Sequence, residues 1–153
     1  EQLVVALPED HALAARAELS LRDLANEPWV TFPADSGSSV QSLLQQVCLA
    51  AGFTPNVVQA APDSYTIIAL VAAHVGVTLT LTSVMRANLD ESVAYRPLTD
   101  ELPVVESAIG WSTQNPSAAL RSVVGLVKLA FAEPTDLTYD ALSSRRRAIT
   151  STD

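Results

Sequence analysis

The chain has 153 residues, 48% hydrophobic and 17% charged, a balance that suits a packed α/β protein and argues against a disordered one. Its formal net charge of −8 and pI near 4.6 oppose binding to nucleic acid, whose phosphates are neutralised by Lys and Arg. No apolar run approaches the roughly 20 residues of a membrane span, the N-terminus lacks the basic start and apolar core of a signal peptide, and the single cysteine excludes an internal disulfide.

A cytoplasmic protein with no membrane partner is therefore expected. The chain opens on Glu1 and is in a strand by Leu3, as a piece cut from a longer protein would be. Leu3 to Leu7 is a continuous apolar run rich in β-branched residues, the pattern of a parallel-sheet strand buried on both faces. Leu19 to Pro28 alternates weakly and stops at a proline, which suits a connector with a short helical turn.

Trp29 to Phe32 is the next strand, ending at Pro33. In the helix that follows, Val40, Leu43, Leu44, Val47, Cys48 and Ala51 share one face. Ser38 and Gln41 stand in capping-box relation and Gly52 follows the last turn, so the start and stop signals agree with the periodicity. Cys48 lies on the buried face and is expected to be an inert apolar residue.

Asn56 to Ala60 reads as a strand, Asp63 as the N-cap of a helix running to Val75, and Gly76 as its break. Val77 to Leu81 alternates apolar residues with threonine, as a strand with one better-buried face would, and a short helix is expected near Ser83 to Leu89. Strands and helices alternating at such short separations predict a parallel sheet with right-handed crossovers, and ligands gather at the carboxyl ends of such strands. Val93 to Asp100 suits a crossing strand or hinge, and Val104 to Thr113 another strand. The last helix starts at Asn115 with Pro116 in its first position and carries Leu120, Val123, Val124, Val127 and Phe131 on one face. A polar tail with Arg145, Arg146 and Arg147 follows, and the arginines read as a solvated cluster.

Taken in order, LVVALPEDHALA, AGFTPNVVQAA, LVAAHVGVTL, VAYRPL and NPSAAL, spread from about Leu3 to Phe131, resemble the effector-binding domain of LysR-type transcriptional regulators. The resemblance implies a periplasmic-binding-protein-like (type 2) α/β fold of two Rossmann-like lobes, here with lobe II complete and lobe I partial. By it, residues 1–25 are partial lobe I, 26–92 lobe II, 93–132 the return to lobe I, and 133–153 a tail. It implies a bacterial regulator that senses a small organic acid, aromatic acids included, in the cleft between the lobes. The segments near Asn26 to Pro28 and Tyr95 to Asp100 would set the angle between them. It also implies a homodimer, a tetramer for the full-length parent, and DNA contact only through an N-terminal helix-turn-helix outside these residues. Two positions depart from the usual pattern: His74 stands where relatives usually carry glycine, and no proline stands near Leu81, where relatives usually carry one.

In relatives, the turn and helix start after the first lobe II strand line the effector cleft, which corresponds here to Ser36, Gly37, Ser38, Ser39 and Val40. Independent chemistry agrees, because a helix N-terminus presents unpaired N–H groups and a positive dipole end to a carboxylate, and Gly37 permits close approach. Ser64, at the second helix start, is a further candidate on the same edge, with Asp63 as its cap and Tyr65 free to pack over the hinge. Catalysis is not expected: His11 and His74 lie far apart with no motif round either, and Ser38 lacks the flanking glycines of a nucleophile elbow. Two isolated histidines and one cysteine offer no metal-ligand spacing, and no cofactor is implied. A solute-binding protein of a transporter shares the architecture and is the alternative. A partial lobe I cannot bury the face of Leu120, Val123, Val124, Val127 and Phe131, so a second copy of the chain is expected to cover it.

Overall fold

Leu3–Pro8 forms β1, and all six of its residues are buried. A strand apolar on both faces is stable only with a neighbour on each edge and a layer on each side. The computed structural model, which describes residues 1–35, 37–88, 91–106, 110–112 and 117–130, supplies both. Two 3-10 turns, Ala12–Ala15 and Leu21–Leu24, lead to β2 (Pro28–Thr31), followed by α1 (Ser39–Ala50), β3 (Asn56–Ala60), α2 (Ser64–Ala72), β4 (Thr78–Leu81), α3 (Thr82–Ala87), β5 (Val93–Pro97) and α4 (Ala118–Ala130).

β1 lies between β4 and β5 and runs antiparallel to both, with Leu3 opposite Leu81 and Val4 opposite Pro97. β2 and β3 pair in parallel, and a parallel bridge from Trp29 to Val77 joins them to β4. The sheet therefore reads β3-β2-β4-β1-β5. This corrects one expectation. The sheet is not all parallel, because its first strand is inserted against the direction of the rest. Leu3–Pro8 and Val93–Pro97 share a three-stranded sheet with Thr78–Leu81, in the order β4-β1-β5. β4 also departs from the expected one-sided burial, since Thr78 and Thr80 are as inaccessible as Val77 and Leu79. A strand flanked on both edges, with helices packed on both faces, has no solvent side.

The alternation of β1 sorts the core into two layers. Leu3, Val5 and Leu7 pack with Trp29, Leu44 and Cys48 on the α1 side, whereas Val4 and Ala6 meet Ile68, Val71, Met85 and Tyr95 on the side of α2 and α3. Trp29 is wholly buried against Phe53, ring centroids 6.1 Å apart, and its indole N–H donates to Leu24 O at 3.2 Å, so the polar edge of the ring is satisfied. The expected stop of α1 is present: Gly52 has a φ of +91, Gly52 N–H donates to Leu49 O at 3.0 Å and Phe53 N–H to Cys48 O at 3.1 Å. This pair of bonds closes a helix through a left-handed residue.

Residues 104–106 and 110–112 carry no strand, and 107–109 lie outside the described residues, as do Asn115, Pro116, Phe131 and the tail. Asn26–Pro28 runs straight into β2, of which Pro28 is the first residue. The chain crosses itself elsewhere: Glu1 N–H donates to Val105 O at 2.8 Å and Val105 N–H to Glu1 O at 3.0 Å. On α4, Leu120, Val124 and Val127 are half-buried, while Val123, Leu126 and Leu129 are 55%, 66% and 75% exposed.

Candidate effector site at the strand-end edge

β2 and β3 deliver the chain to the same edge, with Thr31 opposite Ala60 and Ala61 N–H donating to Thr31 O at 2.9 Å. β4 runs parallel to β2, so Leu81 reaches that edge too, and Leu3 and Pro97 lie beside it through the pairing of β1. The edge thus gathers the starts of α1, α2 and α3 together with the crossing of the chain at Glu1.

The candidates Gly37, Ser38, Ser39, Val40 and Ser64 all lie here, whereas Ser36 is outside the described residues. Ser38 is the N-cap of α1, and its Oγ accepts from Gln41 N–H at 3.3 Å. Ser39 is exposed and Val40 half-buried, and as the first two helical residues their N–H groups have no acceptor within the helix. Gly37 has a φ of +66, and a Cβ built on it meets nothing within 4 Å, so its backbone faces open space. Ser64 is the first residue of α2, half-buried, and Tyr65 beside it is 72% exposed rather than packed over a hinge.

The three helix starts differ in charge. At α2, Asp63 accepts from Thr66 N–H at 2.9 Å and from Thr66 Oγ1 at 2.8 Å, bonds that hold its carboxyl below the ordinary carboxylate range. At α3, Glu1 Oε2 accepts from Ser83 N–H at 3.2 Å. Two of the three are thus occupied by the protein's own carboxylates, and an anion approaching them meets like charge. Only α1 is capped by a neutral hydroxyl.

Sequence reasoning missed Thr31 and gave Gln41 a different role. Gln41 was expected to complete a capping box, but its Oε1 accepts from Thr31 Oγ1, and both residues are buried. This bond ties the first turn of α1 to the end of β2, on either side of the turn that carries Gly37. The only signal in the sequence is a threonine at the end of a buried strand. The two histidines stay apart from the site: His11 Nε2 faces Glu27 at 3.4 Å and His74 Nε2 faces Asp10 at 2.7 Å. Among the described residues no group of three His, Cys, Asp or Glu could hold a metal ion, and no helix is long and apolar enough to cross a membrane.

Comparison with known proteins fits this architecture. The transcriptional regulator ShiR of Corynebacterium glutamicum (strain R) is 41% identical over 80 residues, 52% of this chain and 27% of its own. AlsR of Bacillus subtilis (strain 168) is 30% identical over 122 residues, 79% of this chain and 40% of its own. The chain thus spans less than half the length of these curated relatives. Among solved structures, the BenM effector binding domain with its effector benzoate superposes with a TM-score of 0.62 at 18% identity, covering 86% of this chain and 60% of that one, a likeness of fold. The family described as LysR substrate binding domain matches residues 1–132. That match runs through all five strands and past the end of α4, and the chain belongs to the LysR substrate-binding domain family.

Proposed function

We propose that this chain is the effector-binding piece of a cytoplasmic LysR-type transcriptional regulator, and that its effector is a small organic acid whose carboxylate sits at the start of α1. The observation that carries the reading is the unequal capping of the edge: Asp63 and Glu1 close α2 and α3 with negative charge, and Ser38 leaves α1 neutral. The backbone N–H groups of Ser39 and Val40, the hydroxyls of Ser38 and Ser39 and the open backbone at Gly37 form the anion subsite. Ser36 belongs to the same turn, and Ser64 plays the lesser part because Asp63 adjoins it. Benzoate, the effector named for the BenM domain, is a carboxylate of this kind.

The relatives are named as transcriptional regulators, not as transporter components, which turns the reading away from a solute-binding protein and from an enzyme. In the complete regulator, closure of the lobes on the acid biases a pre-existing equilibrium and passes to DNA through an N-terminal helix-turn-helix. A homodimer, and a tetramer of the full-length protein, accompany this reading. The exposed Val123, Leu126 and Leu129 of α4 are the surface that a second copy covers.

A thermal-shift screen of aromatic and aliphatic carboxylates, benzoate among them, tests the proposal on this chain and on its full-length parent. A ligand that binds only the folded state raises the melting temperature. A rise that is lost in Ser38→Asp is the expected result, and no rise with any acid on either protein sinks the reading.

A further inference from the structure

Beside the crossing of the chain runs a groove of about 420 Å³, formed where the first residues of β1 meet the segment that leaves β5. Leu3, Leu98 and Leu102 line it together with three carboxylates, Glu18, Asp100 and Glu101. No Lys, Arg or His lines it among the described residues. The nearby cations are committed elsewhere: Arg16 pairs with Asp23 at 2.7 Å, and Arg96 donates to the carbonyl oxygens of Ala14, Arg16 and Tyr95. Asp100 accepts from Leu21 N–H at 2.8 Å, but among the described residues none of the three carboxylates has an ion-pair partner. A concave surface that gathers negative charge over apolar side chains focuses its field on a cation with an apolar neighbour.

The chain carries such a segment. Of its 9 Lys and Arg, three stand together at Arg145, Arg146 and Arg147, and Ala148 and Ile149 follow. These residues lie outside the described ones. Fifteen peptide units separate Ala130, the end of α4, from Arg145, and they span up to roughly 50 Å. A folded unit of this size has a radius of gyration near 14 Å, about a quarter of that reach.

We propose that the groove is a docking surface for the chain's own basic segment, Arg145 to Ile149. Its guanidinium groups pair with Glu18, Asp100 and Glu101, and Ile149 meets Leu98 and Leu102. Arginine suits the role because its planar fork matches a carboxylate in two places at once. Tethering raises the local concentration of the segment to the millimolar range, so weak, salt-sensitive pairs hold it without a large buried area. The groove adjoins the reciprocal bonds between Glu1 and Val105, so a docked tail braces the crossing itself.

Trypsin cleavage after Arg145, Arg146 and Arg147 of the intact chain, followed by mass spectrometry, tests this. A segment docked nine-tenths of the time is cut about tenfold more slowly than a synthetic peptide of residues 137–153. The expected result is that protection at low salt, abolished by high salt and by the double variant Glu18→Gln, Glu101→Gln, whose two sites are exposed and whose melting temperature stays unchanged. As a second measurement, replacing the three arginines by glutamine raises amide exchange severalfold at Glu101, Leu102 and Val104. Cleavage as fast as in the peptide, or protection that persists in the double variant, overturns the proposal. Protection that grows with protein concentration also overturns it and assigns the groove to the tail of a second copy.

Discussion

His74 holds a left-handed backbone with φ of +61, and its Nε2 lies 2.7 Å from Oδ1 of Asp10 in the turn after β1. It follows the C-cap of α2, where His74 N–H to Val71 O at 2.9 Å and Val75 N–H to Leu70 O at 3.0 Å close the helix. Glycine suits that position because it has no Cβ, which accounts for the glycine the family resemblance leads one to expect there.

Left-handed backbone costs a residue with a side chain roughly 1–2 kcal/mol. An exposed hydrogen bond between His74 and Asp10, here 60% and 76% accessible, returns at most about 1 kcal/mol. His74→Gly is therefore expected to stabilise the fold by about 0.5–1 kcal/mol, and His74→Ala, which loses the bond and keeps the strain, to do the opposite. Urea midpoints at unchanged slope measure both. A lower midpoint for the glycine variant would show that the bond to Asp10 outweighs the strain.

Gly76 lets two strands approach. A Cβ there would stand 2.5 Å from Pro28 O, the atom that accepts from Val77 N–H at 2.8 Å and so joins β2 to β4. Gly76→Ala is expected to cost about 2–3 kcal/mol, since backbone rather than a flexible side chain must move. Gly125 is the control: it is exposed on α4 with nothing within 4 Å of a new Cβ, and alanine there should favour the helix by about 1 kcal/mol. Denaturation of the first variant and circular dichroism of the second check the pair.

Ser38→Asp separates folding from binding. Aspartate caps a helix as well as serine does, so stability should stay within about 0.5 kcal/mol, whereas Ser38→Ala should lose about 1 kcal/mol. The new carboxylate sits where the proposed anion sits, and affinity for benzoate or a related acid should fall at least about tenfold, a modest like-charge penalty near a surface. Equal affinity in the two proteins would move the site away from α1.

Asp23 sets an acid limit. Its Oδ1 is 2.7 Å from Arg16 Nη1, and its Oδ2 accepts from Ser20 N–H at 2.7 Å and from Ser20 Oγ at 2.8 Å. The Arg16 bond first, and then the two from Ser20, lower its pKa from 3.8 to about 2. A carboxyl depressed on folding stabilises the native state above its unfolded pKa, and that stability is lost as pH falls from about 4 towards 2. Asp23→Asn should remove about 1 kcal/mol at neutral pH and flatten the acid limb over that interval. A limb as steep as the wild type's would assign the transition to other groups.

Cys48 is wholly buried, and burial pushes its thiol up to about 11. Alkylation by iodoacetamide at neutral pH should wait on unfolding of the domain and follow its denaturation curve. Rapid labelling of the native protein would reveal local opening of α1.

The features legible in the sequence are those decided within a few residues. Ser38 and Asp63 were readable as caps because the N–H groups they accept lie three residues on, and Gly52 was readable as a stop for the same reason. The direction of β1 was not readable. LVVALP has no alternation, so it looks the same in a parallel or an antiparallel setting, and its partners lie far downstream in Thr78–Leu81 and Val93–Pro97. The site was legible as a helix start at Gly37 to Val40. What singles it out among its neighbours is a tertiary relation, since the Glu1 carboxylate that closes α3 comes from 82 residues earlier in the chain.

The place of β1 has a consequence for synthesis. The ribosome makes this strand before its partners, so one of its edges stays open until Thr78–Leu81 emerges and the other until Val93–Pro97 does. Six residues without a charge, rich in valine and leucine, are an aggregation-prone segment while unpaired. A nascent chain stalled before Val93 would hold this strand half-covered, so the sheet β4-β1-β5 closes only when β5 pairs with β1.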